Sequence, residues 1–313
     1  MRVHLNKVAL ASLALAICLA FAGVASAKGK KYALFVGIND YPDPINKLQG
    51  AVPDAEHMKS LLESKYGFLA LNDKILRDGE ATRANILAAL KALTAKAGAG
   101  DLLVFQYSGH GTVSPDAYSW VKDETKKIEI DYPDGSKDPL DYYDSAIVPV
   151  DTMTQNSANP WGNNLILDDE LYDIFTPATA KGVKVVFIAD SCNSGSIGRA
   201  GVPQAAVRFT SPRTIFGVKS LADLHTKLKP PAKQTTVTKR TMPGTYIVLS
   251  AAQDNEFAMD AAGGGEAGGL FTSTLIDSIK TSKTPLTYKK LMNLVQKRVA
   301  DTSLTKYSNE QHP

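Results

Sequence analysis

The chain has 313 residues, 44% of them hydrophobic and 21% charged, which suffices for one large domain or one domain with an excursion. Its formal net charge of +3 overstates its basicity. Removing residues 1–27 as a leader takes Arg2 and Lys7 and no acid, leaving 33 bases (35 less two) against 32 acids, and so balanced a chain excludes charge-driven binding to nucleic acid or anionic lipid.

In chain order, the first element is a secretory signal. Arg2 and Lys7 give a positive start, Val8 to Val24 an apolar run, and Ala25-Ser26-Ala27 a small-residue cleavage site. Cys18 follows Ile17, where a lipid-attachment signal needs a small residue, so lipidation is not expected. The expectation is an exported protein, periplasmic or secreted, with residues 28–313 as its one domain and no membrane attachment once the leader is gone. That leaves Cys192 as a lone thiol in an oxidising compartment, where it is an oxidation hazard unless it reacts for a purpose.

Tyr32 to Ile38 reads as a buried strand, followed by a loop through Asn39-Asp40-Tyr41-Pro42. Ala55 to Tyr66 has helical spacing at Met58, Leu61 and Leu62, and Lys74 to Arg77 is a short strand. Thr82 to Lys96 is an amphipathic helix with Ile86, Leu87, Leu90 and Leu93 on one face and Thr82 as its N-cap. Leu102 to Tyr107 is a second buried strand, ending in Ser108-Gly109-His110-Gly111. Residues 112–143 are polar and aperiodic and read as an insertion at the sheet edge, with a hairpin around Lys127 to Gly135. A strand at Ser145 to Val150 and a helix from Leu167 precede the apolar run Val183 to Ala189, which stops in Asp190-Ser191-Cys192-Asn193-Ser194-Gly195. A loop over 197–243, a strand at Thr245 to Ser250, and helices at Leu270 to Ile279 and Tyr288 to Ala300 complete the order.

Continuous apolar strands alternating with helices predict an α/β sandwich around a mostly parallel sheet, with helices on both faces. In such sheets ligands bind beyond the carboxyl ends of the strands, where His110 and Cys192 fall. A thiol beside an imidazole supports nucleophilic acyl transfer: Cys192 attacks, His110 moves the proton, and the backbone N–H groups of Gly111 and Cys192 hold the oxyanion. The other histidines lack a comparable position: His57 lies in the first helix, His225 in the long loop and His312 at a frayed end. No third orienting residue follows from spacing.

The motifs Ser108-Gly109-His110-Gly111 and Asp190-Ser191-Cys192-Asn193-Ser194-Gly195 resemble those of caspase-like cysteine peptidases, nearest to the metacaspases of bacteria and other non-animal lineages. Further matches run through Tyr32 to Asn39, Leu48-Gln49-Gly50 with Asp54-Ala55, Leu249-Ser250-Ala251-Ala252 and Gly269-Leu270-Phe271-Thr272. The resemblance implies a caspase-like three-layer sandwich and cleavage after arginine or lysine, with Asp54 and Asp190 matching the pocket for the basic side chain. Asp54 also fits a helix-starting acid, a reading that serves Asp190 poorly because Asp190 directly follows a strand. No cofactor is required. The resemblance does imply a calcium site, at Asp151, Asp168 and Asp169, although Asp168-Asp169-Glu170 equally suits a helix start, and Gly198-Arg199 stands where some members carry a further acid.

Between Asn193 and Pro243 nine bases face Asp223 alone. This is either a solvated loop or a linker that an Arg/Lys-specific enzyme could cut in itself. The expected partners are peptide or protein substrates with Arg or Lys at the cleaved position, met by a monomer. Two alternatives stay open: a catalytically silent caspase-fold binding protein, and an Arg-specific peptidase of the clostripain or gingipain type.

Overall fold

A computed structural model describes residues 29–115, 129–132, 135–139, 143–155, 163–192, 207–223, 241–253, 256–260, 268–307 and 310–313. The leader, part of the polar insertion and most of the basic run lie outside the described residues. Five strands, β1 (Lys31–Gly37), β2 (Leu69–Arg77), β3 (Leu102–Ser108), β9 (Lys184–Asp190) and β10 (Tyr246–Ser250), form one parallel sheet in the order β10-β9-β3-β1-β2.

Side-chain alternation along these strands assigns the two faces. Leu102, Val104, Val186, Ile188 and Leu249 line one apolar cavity with Met58 and Leu62 of α1 (Ala51–Tyr66), Leu275 and Ile279 of α5 (Leu270–Thr281), and Leu291 of α6 (Tyr288–Tyr307). On the opposite face Phe105 stacks on Phe187 at 4.9 Å, and Phe175 of α3 (Asp168–Ala180) packs against both Phe105 and Tyr246. The remaining long helix, α2 (Arg83–Lys96), packs on α3. Helices therefore cover both faces. That explains why β3 and β9 are apolar along their length rather than alternating: neither face meets water.

Local signals set the helix ends. Thr82 Oγ1 accepts the Asn85 N–H at 3.2 Å, and Ile86, Leu87, Leu90 and Leu93 are buried, as the sequence predicts. α1 starts four residues before the predicted Ala55, and Gly67 closes it in the left-handed conformation.

The described parts of the insertion pair as short strands. β4 (Gly111–Pro115), β7 (Tyr143–Ile147) and β8 (Ile166–Leu167) form an antiparallel sheet of their own, so the strand predicted at 145–150 begins earlier and lies outside the main sheet. The predicted hairpin is β5 (Glu129–Asp131) against β6 (Lys137–Pro139). Two further expectations are corrected. The 197–243 run is not loop throughout: Val207 to Thr210 is buried and paired, and α4 (Pro212–Phe216) follows it. The end is not frayed either, since Gln311 is buried and His312 Nδ1 lies 2.6 Å from Glu256 Oε1. Among the described residues, no helix is long and apolar enough to cross a membrane.

Candidate active site

β3 and β9 are neighbours, with Ser108 opposite Asp190. Two residues beyond that pair, His110 and Cys192 leave the sheet on adjacent strands at the same height. Gly109 tightens this exit, because a Cβ there would stand 2.6 Å from the Tyr41 hydroxyl and 2.7 Å from that of Tyr107. Those hydroxyls fix the His110 backbone: Tyr41 accepts its N–H at 3.0 Å and Tyr107 donates to its carbonyl at 2.7 Å.

His110 is fully buried, and its Nε2 lies 2.7 Å from the carbonyl oxygen of Asn46. A carbonyl can only accept, so Nε2 carries the proton and the lone pair sits on Nδ1, which is buried without a hydrogen-bond partner among the described residues. Burial lowers the His110 pKa to about 4, against the raising effect of the Asn46 contact, so the ring is neutral at pH 7 and able to take a proton. Asn46 thus supplies the orienting group that spacing could not identify. It acts through its backbone, which any residue carries, so no side-chain signal marks it.

Cys192 is 1% exposed, and burial pushes its thiol up to about 12 despite a hydrogen bond from the Ala258 N–H to Sγ at 2.7 Å. The thiol is protonated and covered in this state. The N–H groups of Gly111 and Cys192 converge on a single acceptor, the carbonyl oxygen of Arg208, at 3.0 and 3.1 Å. Two donors aimed at one carbonyl oxygen form the geometry an oxyanion needs.

Asp54 and Asp190, far apart in sequence, share a closed pocket with Asp260. The Arg208 guanidinium fills it, with Nη1 2.7 Å from Asp54 Oδ2 and 3.0 Å from Asp190 Oδ1, and Nη2 3.0 Å from Asp260 Oδ1. All four side chains are at most 1% exposed. Burial opposes the arginine's charge, yet Asp190, Asp54 and Asp260 together hold its pKa well above the ordinary value. Burial also raises Asp54, with Arg208 pulling it back and Asp190 adding to the rise.

Backbone and hydroxyl donors fix the acids. Gly269 N–H donates to Asp54, Thr272 N–H and hydroxyl to Asp190, and Gln49 and Gly50 N–H to Asp260. The walls are glycine for lack of room: a Cβ on Gly269 would lie 2.7 Å from the Arg208 guanidinium carbon, and one on Gly50 3.0 Å from its Nη2. Sequence reading missed Asp260, which lies in the loop after β10 with no motif around it. It also placed Arg208 in a solvated or cleavable run, whereas this arginine is completely buried.

The three residues expected to hold calcium serve other partners. Asp151 accepts the Arg83 N–H at 2.8 Å at the start of α2 and the Asn164 amide at 3.3 Å. Asp168 and Asp169 open α3, where Asp168 accepts the Asp169 N–H. Among the described residues, no group of three or more His, Cys, Asp or Glu could hold a metal ion. No chemical step is routed through calcium.

Residues 30–313 match the family described as the caspase domain, Peptidase_C14. The chain belongs to the caspase-domain family. It is 29% identical over 281 residues to Metacaspase-1B of Aspergillus fumigatus, covering 80% of this chain and 62% of that protein. With Metacaspase-1A of the same fungus it shares 28% identity over 315 residues, 90% of this chain and 68% of the relative. Among solved structures, protein GSU0716 of Geobacter sulfurreducens aligns with a TM-score of 0.57 at 22% identity, over 86% of this chain and 89% of that one. Caspase-1 of Spodoptera frugiperda aligns with a TM-score of 0.50 at 10% identity, over 91% and 85%. The structural likenesses establish the caspase-type fold predicted for this chain: a parallel sheet between two helical layers.

Proposed function

We propose that this caspase-domain protein is a cysteine endopeptidase that cleaves after arginine or lysine. The observation that carries the reading is the coupling of pocket to donors: a guanidinium among three aspartates belongs to the residue whose carbonyl lies under the N–H groups of Gly111 and Cys192. A site that grips a basic side chain at one end and polarises the adjoining carbonyl at the other is arranged for cutting beside that side chain.

In this mechanism the Cys192 thiol gives its proton to His110 Nδ1 as sulfur attacks the carbonyl. Gly111 and Cys192 N–H groups hold the oxyanion, and His110 returns the proton to the leaving amine. Asn46 keeps the ring in the tautomer this requires. The buried, protonated thiol marks a resting form, which substrate-cleft opening converts to a reactive one. We infer from Arg2, Lys7, the apolar run and Ala25-Ser26-Ala27 that the protein is exported.

Peptide reporters ending in Arg, Lys, Asp or Ala test the reading with the chain after any self-processing is complete. Arg and Lys reporters should be turned over at least about a hundredfold faster than Asp, consistent with the 2–5 kcal/mol lost when a buried charge pair is broken. Cys192→Ala and His110→Ala should each fall to background, and turnover by Cys192→Ala equal to wild type would sink the assignment.

A further inference from the structure

The apolar cavity between the sheet and α1, α5 and α6 lies away from the candidate active site. His110 and Cys192 follow the carboxyl ends of β3 and β9, whereas Lys31 and Leu102, which line the cavity, are the paired first residues of β1 and β3. Its volume is about 540 Å³, within the range of about 300–1,000 Å³ that small-molecule sites occupy. Its depth is aliphatic, built by Val104, Val186, Ile188 and Leu249 of the sheet and Leu275 of α5. No aspartate or glutamate lines it, but three lysines do: Lys31, Lys65 and Lys283. Lys65 and Lys283 are exposed and Lys31 half-buried, so their ammonium groups mark the rim while their stems continue the apolar wall.

Two of these cations are gathered round one ring. The Nζ atoms of Lys31 and Lys65 each lie 6.0 Å from the centre of the Tyr66 ring, which is itself exposed at the mouth. Each donates to a main-chain oxygen at 2.7 Å, Lys31 to that of Tyr66 and Lys65 to that of Ile279. Those oxygens carry no formal charge, and among the described residues no carboxylate pairs with Lys31, Lys65 or Lys283. Like charges held together in this way favour an anion between them. The chain's own leader has the wrong sign for the role, since residues 1–27 contain Arg2 and Lys7 and no acid. A ligand that complements both parts is an apolar chain ending in one anionic group.

We propose that this cavity binds a free fatty acid. The acyl chain lies along Val104, Val186, Ile188 and Leu249 beneath α5, and the carboxylate is held by Lys31 and Lys65 beside Tyr66. The candidate active site uses the other ends of the same strands, so this site stands apart from the peptidase reading.

Calorimetric titration with octanoate, decanoate, dodecanoate, decylamine and decanol tests this, on the full chain and on the chain freed of residues 1–27. One decanoate should bind per chain, and at least tenfold more tightly than decylamine. Affinity should rise about tenfold for each two methylenes added from octanoate to dodecanoate, as burial of the chain requires. The double variant Lys31→Met, Lys65→Met keeps the stems' bulk and removes both charges. It should bind decanoate at least tenfold more weakly and decanol within twofold of wild type, which also shows that the cavity is still formed. Decylamine binding as tight as decanoate, decanoate binding unchanged in the double variant, or equal loss of decanol and decanoate would each overturn the assignment. So would the absence of any binding, or many decanoates per chain, which marks adsorption to the surface. Binding by the leader-free chain alone would make the leader the cavity's occupant and overturn the fatty-acid reading as well. Peptidase turnover enters none of these readouts, so failure of the peptidase reading would leave them unaffected.

Discussion

His110 carries a consequence for stability as well as for chemistry. Its folded pKa, about 4, lies below the ordinary 6.5, so between those values the unfolded chain binds the proton and the folded chain does not. Its stabilising contribution is complete above about pH 6.5 and is lost as pH falls toward and through about 4, a change of about 3 kcal/mol. Unfolding free energies of wild type and His110→Gln, compared at pH 7 and 4.5, should show the steeper acid loss in wild type; equal slopes would contradict the neutral, buried ring. The pocket walls give a second residue-level test. Gly269→Ala would set a Cβ 2.6 Å from Asp190 Oδ2 and into the guanidinium's space, so kcat/KM for Arg reporters should drop at least about tenfold. The thiol gives a third: iodoacetamide should label Cys192 of the folded chain far more slowly than a free thiol, given its burial and its pKa of about 12, and at the ordinary rate once the chain is unfolded.

Among the elements, legibility followed burial on two faces. β3 and β9 could be read from sequence because helices on both sides demand unbroken apolar runs, and the small residues after them marked where each chain leaves the sheet. α2 was legible from its cap and its four buried positions. Removing the Thr82 hydroxyl, as Thr82→Ala, should cost about 1 kcal/mol in chemical denaturation and leave peptidase activity unchanged. The stretch Val207 to Thr210 was illegible for the opposite reason. Its pairing is four residues long, it centres on an arginine, and that arginine's acidic partners lie 154 residues upstream at Asp54 (208 − 54), 18 upstream at Asp190 and 52 downstream at Asp260. No local pattern encodes a charge neutralised from three such distances. Asp260 and the Asn46 carbonyl escaped notice likewise, one in a loop without periodicity, the other acting through an atom every residue has.

Across the whole molecule, the strand order bears on how the pocket is assembled. β9 lies upstream of Arg208 and β10 downstream, yet the two are hydrogen-bonded along their length, from Val185 with Tyr246 to Ala189 with Ser250. The pocket is divided in the same way, with Asp54 and Asp190 before Arg208 in the chain and Asp260 and Gly269 after it. Neither half of the ribbon holds a whole pocket, and the two halves are zipped through a shared sheet. Neither half expressed by itself should inherit a taste for arginine.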